Sequence, residues 1–569
     1  MSFVPTVVLC VLTASILMIR CSLGDAGSEP ETTAGSRPTQ PPVTVVTEPS
    51  HHWKQGYIST LNPDVPYCDS EGRILGALLR GTPVEYEITP QGRISIALED
   101  TIVYLTKEAA VVSDPADVIP GHALFVRTTV NLRDADGRLL ETLAEKGTGV
   151  TVEGYDYLLS DGRAHMYRVT LGDSGPEGYI PPWYLVNSQE EALENFDNGS
   201  YATHAARENI YGGGGAADLD YYPREKGPIQ GNEMPEECRT LYLVNWRLEE
   251  LDAYLEIAAG SGINAFVVDI VDGSSIGYAA DVMKRYCPTG AAAANNTVED
   301  YQAAIRKLKE AGYYVIGRIT TFNDSCFVQD HPECAISDTE GAPLRLSGEY
   351  WPTPFDRSVW QYKVDLAVEA VELMGFHEIQ FDYVRFPDST YRYEKNGTID
   401  FRNAYGETKA QAIQRFLMYA ADILHDHGAY ISADVYGESA YTYVTAYGQY
   451  WSAISNVADA ISGMPYPDHF GASGSWLPWE HPYDTLYNWG QCVMQRQSET
   501  ATPAVVRTWI QAYNAIREPY TVYGPDQVAA QIKALRDAGC TGGYMTWNAG
   551  SSLDKYTSLM PAFAPPEEE

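Results

Sequence analysis

The chain has 569 residues, 44% hydrophobic, 12% aromatic and 20% charged, with a formal net charge of −37. This length and apolar content support several packed domains. The charge opposes nucleic acid and anionic membranes by Coulomb repulsion, which excludes binding to either through a basic surface.

Residues 1–23 open with "MSFVPTVVLCVLTASILMIRC", an apolar run at the short limit for a spanning helix. No Lys or Arg precedes it and Arg20 follows it, so it reads as an atypical signal peptide or a membrane anchor. Arg20 stands where a lipobox before Cys21 needs a small residue. Both readings place the rest of the chain outside the cytoplasm, extracellular or associated with the cell envelope, and touching membrane only if that segment is not cleaved. Residues 24–52 are rich in Pro, Thr, Ser and Gly and read as a disordered spacer.

Residues 53–113 and 120–187 change to short alternating strands with Gly turns. In the second unit "DADGR" is a hairpin signal and "KGTGVTV" returns as a strand after a Gly turn. The first unit repeats the order: an apolar start, "SEGR", a Leu-rich strand, then "RGTPV". Such a repeat implies two copies of one small all-β barrel. Val130–Arg133, Gly147-Thr148 and Gly178–Leu185 resemble bacterial SH3 domains. The resemblance implies contact with cell-wall material; a structural spacer fits the same residues, since fold does not dictate function.

Residues 188–239, with "YGGGG", read as an irregular linker. Strands and helices alternate over residues 240–563. Strands are expected at 241–246, 264–272, 313–322, 377–386, 430–437, 459–467, 504–513 and 542–550. Between them, "VEDYQAAIRKLKEAG" carries apolar residues at helical spacing and stops at Gly312, and "GPDQVAAQIKALRDAG" has Pro525 in its first turn and Gly539 after its last. Eight such units predict an α/β fold, a (β/α)8 barrel, preceded by the two small β barrels. An open doubly wound sheet would want a Gly-rich phosphate loop after the first strand, and "LYLVNWRLEE" has none.

In this architecture the site lies at the C-terminal strand ends. Strand 2 ends in Asp269 and Asp272, strand 3 carries Arg318, and strand 4 carries Gln380, Asp382 and Arg385. Strand 5 offers Asp434, Tyr436 and Glu438, and strand 6 leads to Tyr466, Asp468 and His469. Strand 7 contributes Arg507, Trp509 and Gln511, and strand 8 Trp547 and Asn548. Period-two alternation puts Gln380 and Asp382 on one face and Arg385 on the other, near Asp388. Polar groups in strands this apolar must be paired or functional: Asp382 either serves only to hold Arg318 or Arg507 in a buried ion pair, or takes part in chemistry. Trp246, Trp509 and Trp547 near strand ends either pack the mouth or offer faces to the C–H faces of sugars. Paired carboxylates beside aromatic platforms suit glycosidic bond cleavage, in which one acts as an anion and the other holds a proton.

"NAFVVDIVDG", "GYYVIGRITTFND", "EIQFDYVRFP", "ISADVYG", "MPYP", "RTWIQAY" and "GGYMTWNA", in that order from Leu241 to Ala549, resemble the glycoside-hydrolase-like family catalogued as the domain of unknown function DUF4015. The resemblance implies a nucleophile at Asp382 and an acid/base at Asp434, with Glu438 and then Asp468 as alternatives. Asp269 then binds substrate or tunes a carboxyl pKa, and Arg318, Arg385, Tyr466, Trp509, Gln511, Trp547 and Asn548 bind substrate. Strand 6 departs from related barrels in having no acid within "ISGMPYP".

No GxSxG, HExxH or CxxC occurs, so neither a serine or cysteine nucleophile nor a metal or other cofactor is expected. Cys326 and Cys334, eight positions apart, read equally as a disulfide or as two thiols. The leading expectation is an exported hydrolase of a poly- or oligosaccharide. The rivals are a non-catalytic glycan- or wall-binding protein and a peptidoglycan-directed hydrolase.

Overall fold

Eight largely buried runs form a parallel ladder that closes on itself. They are β1 (Cys238–Leu243), β2 (Ala265–Asp272), β3 (Tyr314–Thr320), β4 (Glu378–Asp382), β5 (Tyr430–Tyr436), β6 (Ala460–Met464), β7 (Val505–Val506 and Thr508–Gln511) and β8 (Gly543–Trp547). Neighbours pair in chain order and β8 returns to β1. Strand β7 is interrupted at Arg507; its first piece pairs with β6 and its second with β8. The computed structural model describes residues 51–563 except 61, 99–100, 107–109, 115–122, 160–161, 173, 196–200, 205–212 and 389, so the apolar N-terminal run and nearly all of the spacer lie outside the described residues. Everything from Trp53 onward belongs to one unit.

A main helix follows each strand, after shorter helices in some connections: α1 (Leu251–Ala259), α2 (Val298–Glu310), α3 (Arg357–Met374), α4 (Lys409–Asp426), α5 (Trp451–Ser455), α6 (Pro482–Ser498), α7 (Pro525–Ala538) and α8 (Leu553–Phe563). Local signals set their ends. The Thr297 side chain caps α2, and α7 runs from Pro525 to Gly539, whose φ of 96° is in the left-handed region. The helices cover the outside and side chains fill the inside, so β3 and β4 are buried along their whole length.

The two N-terminal repeats are seven-stranded antiparallel sheets, spanning Lys54–Val112 and Ala123–Val186. Counted within each repeat, both have the strand order third, second, sixth, fifth, fourth, first, seventh. The second repeat docks on α4 through a buried anion. Asp422 is paired with Arg133 and with Arg224 at 3.3 Å, and it accepts from the Tyr184 hydroxyl at 2.8 Å and the Trp183 indole at 3.1 Å.

The described residues within 188–239, which leave out 196–200 and 205–212, include a strap packed on the barrel. Tyr201 and Tyr221 stack with ring centroids 3.7 Å apart, and they form a core with Leu219, Ala410, Tyr450 and Ala453. The Lys226 ammonium donates to the carbonyls of Ser455, Ala458 and Thr502, each at 2.7 Å. The tyrosines supply the apolar burial of this packing.

Cys326 and Cys334 do not pair; both are free thiols. The first lies on the short helix Ser325–Asp330 and packs near Gly290 with Cys287, while the second sits beyond that helix with its sulfur 3.7 Å from the Ser358 hydroxyl. The intervening helical turn points the two side chains at different neighbours.

His165 bridges the second repeat to α4, with Nδ1 2.6 Å from Asp156 and Nε2 2.7 Å from Asp426. Burial alone would lower its pKa, but the two carboxylates overcome this and raise it to about 9. A pKa raised in the folded state stabilises fully below the unfolded value near 6.5 and is lost as pH climbs through 9. His165→Gln should therefore lower Tm at pH 6 by a few degrees and leave it nearly unchanged at pH 10, as calorimetry at the two pH values would show.

Candidate active site

Arg318 organises the mouth of the barrel. It sits on β3, between β2 and β4, and is buried on all sides. Its guanidinium pairs with Asp269 at 2.7 Å and Asp272 at 3.2 Å from β2, with Asp382 from β4, and approaches Asp434 of β5 at 3.8 Å. A register irregularity between Asp269 and Val271 lets β2 present both of its acids to this one cation. Strand β4 ends at Asp382, so Arg385 lies in the following loop.

The chain turns sharply there. Tyr383 is held at φ 48°, an uncommon conformation for an aromatic residue, and its amide donates to the Asp382 carboxylate at 2.6 Å. The Asp382 and Tyr383 carbonyls accept from the amides of Thr321 and Phe322 after β3. The carboxylate orientation is thus set by backbone, by Arg318 and by a strained turn.

Above this lies a cleft of about 650 Å³. Asp382 and Arg318 line it together with Asp272, and Tyr466, Trp509 and Trp547 form an aromatic wall. Trp547 packs against Tyr242 with centroids 4.7 Å apart and edge-on to Trp509 at 5.6 Å. Arg385 also lines the cleft. It is 5.0 Å or less from the ring centroids of Tyr383 and Tyr436, donates to the Tyr436 hydroxyl at 2.6 Å and reaches Asp388 at 3.7 Å. Glu438, just past β5, is exposed at the rim and accepts from the hydroxyls of Tyr443 at 2.7 Å and Tyr447 at 2.9 Å.

Asp434 lies below the cleft, fully buried, its Oδ1 accepting from the Trp509 indole at 2.7 Å. Burial first and the neighbouring Asp382 second push its pKa well above the usual carboxylate range. Asp269, likewise buried, accepts from the Tyr242 hydroxyl at 2.5 Å, and burial raises its pKa to about 7 against the pull of Arg318. Asp468 is buried too, but the opposite outcome holds. Bonds from His469, the Ile516 amide and the Tyr513 hydroxyl outweigh burial and keep its pKa low, which suits a loop anchor and not a proton donor. Gln511 and Asn548 are buried and bonded to backbone: Gln511 to the Tyr513 carbonyl and the Asp468 amide, Asn548 to Ala512 and Ser552. Neither lines the cleft, and Trp246 lies off it with Arg247 over its ring.

Sequence reasoning passed over Tyr242, whose hydroxyl bonds Asp269, and Tyr441 and Phe470 on the cleft wall. Tyr242 had a readable signal, a phenol hydroxyl between two leucines in the C-terminal half of β1; the two wall residues come from loops without periodicity.

A closed (β/α)8 barrel whose strands deliver convergent carboxylates and aromatic walls to its C-terminal mouth is a glycoside-hydrolase-type barrel. The family model described as "Putative glycosyl hydrolase domain" (DUF4015) matches residues 240–553, more than half of the chain, and the protein belongs to that family. Among solved structures, a hypothetical protein from Ruminiclostridium thermocellum ATCC 27405 is 33% identical, over 34% of this chain and 97% of its own, with a TM-score of 0.29. The PgaB (BpsB) glycoside hydrolase domain from Bordetella bronchiseptica is 12% identical, over 57% and 98%, with a TM-score of 0.40. The Bacillus cereus spore cortex-lytic enzyme SleL is 9% identical, over 65% and 86%, with a TM-score of 0.34. No curated protein matches the chain.

The raised pKa of Asp434 has a stability consequence. A carboxyl whose folded pKa lies above its unfolded value destabilises progressively as pH rises from about 4, because the unfolded chain releases its proton first. Asp434→Asn keeps the acceptor for Trp509 and removes the titration. Relative to wild type the variant should gain stability between pH 4 and pH 8, as urea midpoints at the two values would report.

Proposed function

We propose that the protein is an exported glycoside hydrolase that cleaves a poly- or oligosaccharide, with Asp382 as nucleophile and Glu438 as acid/base. The observation that carries this is the Asp382 carboxylate, aimed into a 650 Å³ aromatic-walled cleft by Arg318 and the Tyr383 amide, with a second carboxyl, Glu438, on the rim of the same cleft. Attack on an anomeric carbon needs an anionic carboxylate in fixed orientation, and Arg318 supplies the cation and the orientation. The departing oxygen needs a proton from a carboxyl that substrate can touch. Burial favours the protonated form of Asp434, but it is sealed beneath Trp509 and Arg318, whereas Glu438 is open to the cleft. Asp434 and Asp269 then act through Arg318, as positioning residues.

The walls suit sugar rings, since their aromatic faces meet pyranose C–H faces. The lining includes Asp272, Asp382, Asp388 and Glu438 against Arg318 and Arg385, and Arg318 is already shared among acids. An uncharged or cationic glycan fits this balance better than a uronate. The apolar run from Phe3 to Ile19 and the Pro- and Thr-rich spacer support a substrate outside the cytoplasm.

Asp382→Asn should abolish hydrolysis while circular dichroism and Tm stay near wild type; full activity in that variant would remove the proposal. A 2-deoxy-2-fluoroglycosyl substrate should label Asp382, read by peptide mass spectrometry. Glu438→Gln should lose about 10²–10⁴-fold on substrates with poor leaving groups, far less on activated aryl glycosides, and regain rate with azide. The same pattern in Asp434→Asn, with Glu438→Gln unaffected, would move the acid/base to β5.

A further inference from the structure

Beside the cleft lies a second hollow of about 280 Å³. The two share Tyr441, Phe470 and Gly471, so they are compartments of one depression. The far wall is Trp476, presented by the turn "GASGSW". Ser473 and Trp476 exchange two backbone hydrogen bonds of 3.0 Å, and Gly474 supplies the positive φ, 61°, that closes the turn. His481 lies parallel to the Trp476 ring, 4° between planes and 5.5 Å between centroids, bracing one face, and Trp476 is still 37% exposed. The floor is Trp489, whose indole donates to the Gly437 carbonyl at 2.9 Å, tying the hollow to the residue before Glu438. Asn488 is exposed at the edge.

Trp476 is thus an indole oriented by a turn and a stacked imidazole, partly exposed, and set in the wall of a hollow continuous with the cleft. The ring suits the apolar face of a pyranose, and the Asn488 amide suits its hydroxyls. The shared wall places any such ring along the same chain as one seated over Asp382.

We infer that this hollow is a distal sugar subsite on the Glu438 side of the cleft, built to hold one uncharged pyranose unit of the glycan cleaved at Asp382. The inference rests on the glycosidase reading and extends it: the substrate is an oligosaccharide chain of several units, gripped away from the point of cleavage, and not a disaccharide or a single terminal sugar.

The test is isothermal titration of the full chain carrying Asp382→Asn with β-1,4-linked glucose, xylose and N-acetylglucosamine oligomers of two to six units. Affinity for one series should rise more than tenfold from dimer to hexamer. Adding Trp476→Ala should bring that hexamer-to-dimer ratio close to one, and adding Trp476→Phe should restore most of it, while thermal melts report that both variants fold. A ratio that is flat in the Asp382→Asn protein, a ratio that survives Trp476→Ala, or no binding in any series overturns the subsite. The wild-type products of the same oligomers are read separately. Length-dependent binding without cleavage would sink the catalytic reading and leave the subsite, and cleavage with an unchanged ratio in Trp476→Ala would do the reverse.

Discussion

One buried cation holds the mouth of this barrel together. Arg318 faces four carboxylates from three other strands, and no other basic side chain shares Asp269, Asp272, Asp382 or Asp434 with it among the described residues. One positive charge cannot neutralise four negative ones, two of which, Asp269 and Asp434, lie where water does not reach. The excess is relieved by protons, which is why burial raises the pKa of Asp269 and Asp434, the two acids farthest from solvent. The acids nearer the cleft, Asp382 and Asp272, remain to act on whatever enters. Removing Arg318 would leave an uncompensated buried cluster, so the same residue that positions the site also makes the barrel's upper layer viable.

The rest of the molecule shows a similar use of polar anchors. Asp422 collects Arg133, Arg224, Tyr184 and Trp183, bringing the second repeat, the strap and α4 to one point. Lys226 does this for carbonyls at the end of α5 and beyond β6. Such contacts are directional, so they set orientation, while the tyrosine stacks beside them supply the apolar burial. The β repeat is thereby fixed to the outer helices, away from the cleft, whose lining comes wholly from the barrel and its loops.

The barrel strands were legible because each is an apolar run of strand length bounded by turn residues, and the helices because period and capping agreed; the ends moved, as where β4 stops at Asp382, and β7 is broken at Arg507. The strap was harder to read. Its glycines signal irregularity but say nothing of the tyrosines that bury themselves on a distant helix. The cysteine pair was ambiguous for a related reason, since spacing along the chain does not report which way a helical turn points each sulfur.

Sequence alone determined the fold class and which acids stand at strand ends, because a carboxylate or guanidinium inside an apolar strand is conspicuous and strand parity assigns it a face. Only the tertiary structure decided what each acid can do. Asp434 and Glu438 are four residues apart, yet the first ends beneath Trp509 and Arg318 and the second at the rim, because the chain leaves β5 through a short 3-10 turn that breaks the alternation. Whether a carboxyl meets solvent, a cation or another acid depends on residues hundreds of positions away, and exposure and charge balance are properties of that assembled neighbourhood.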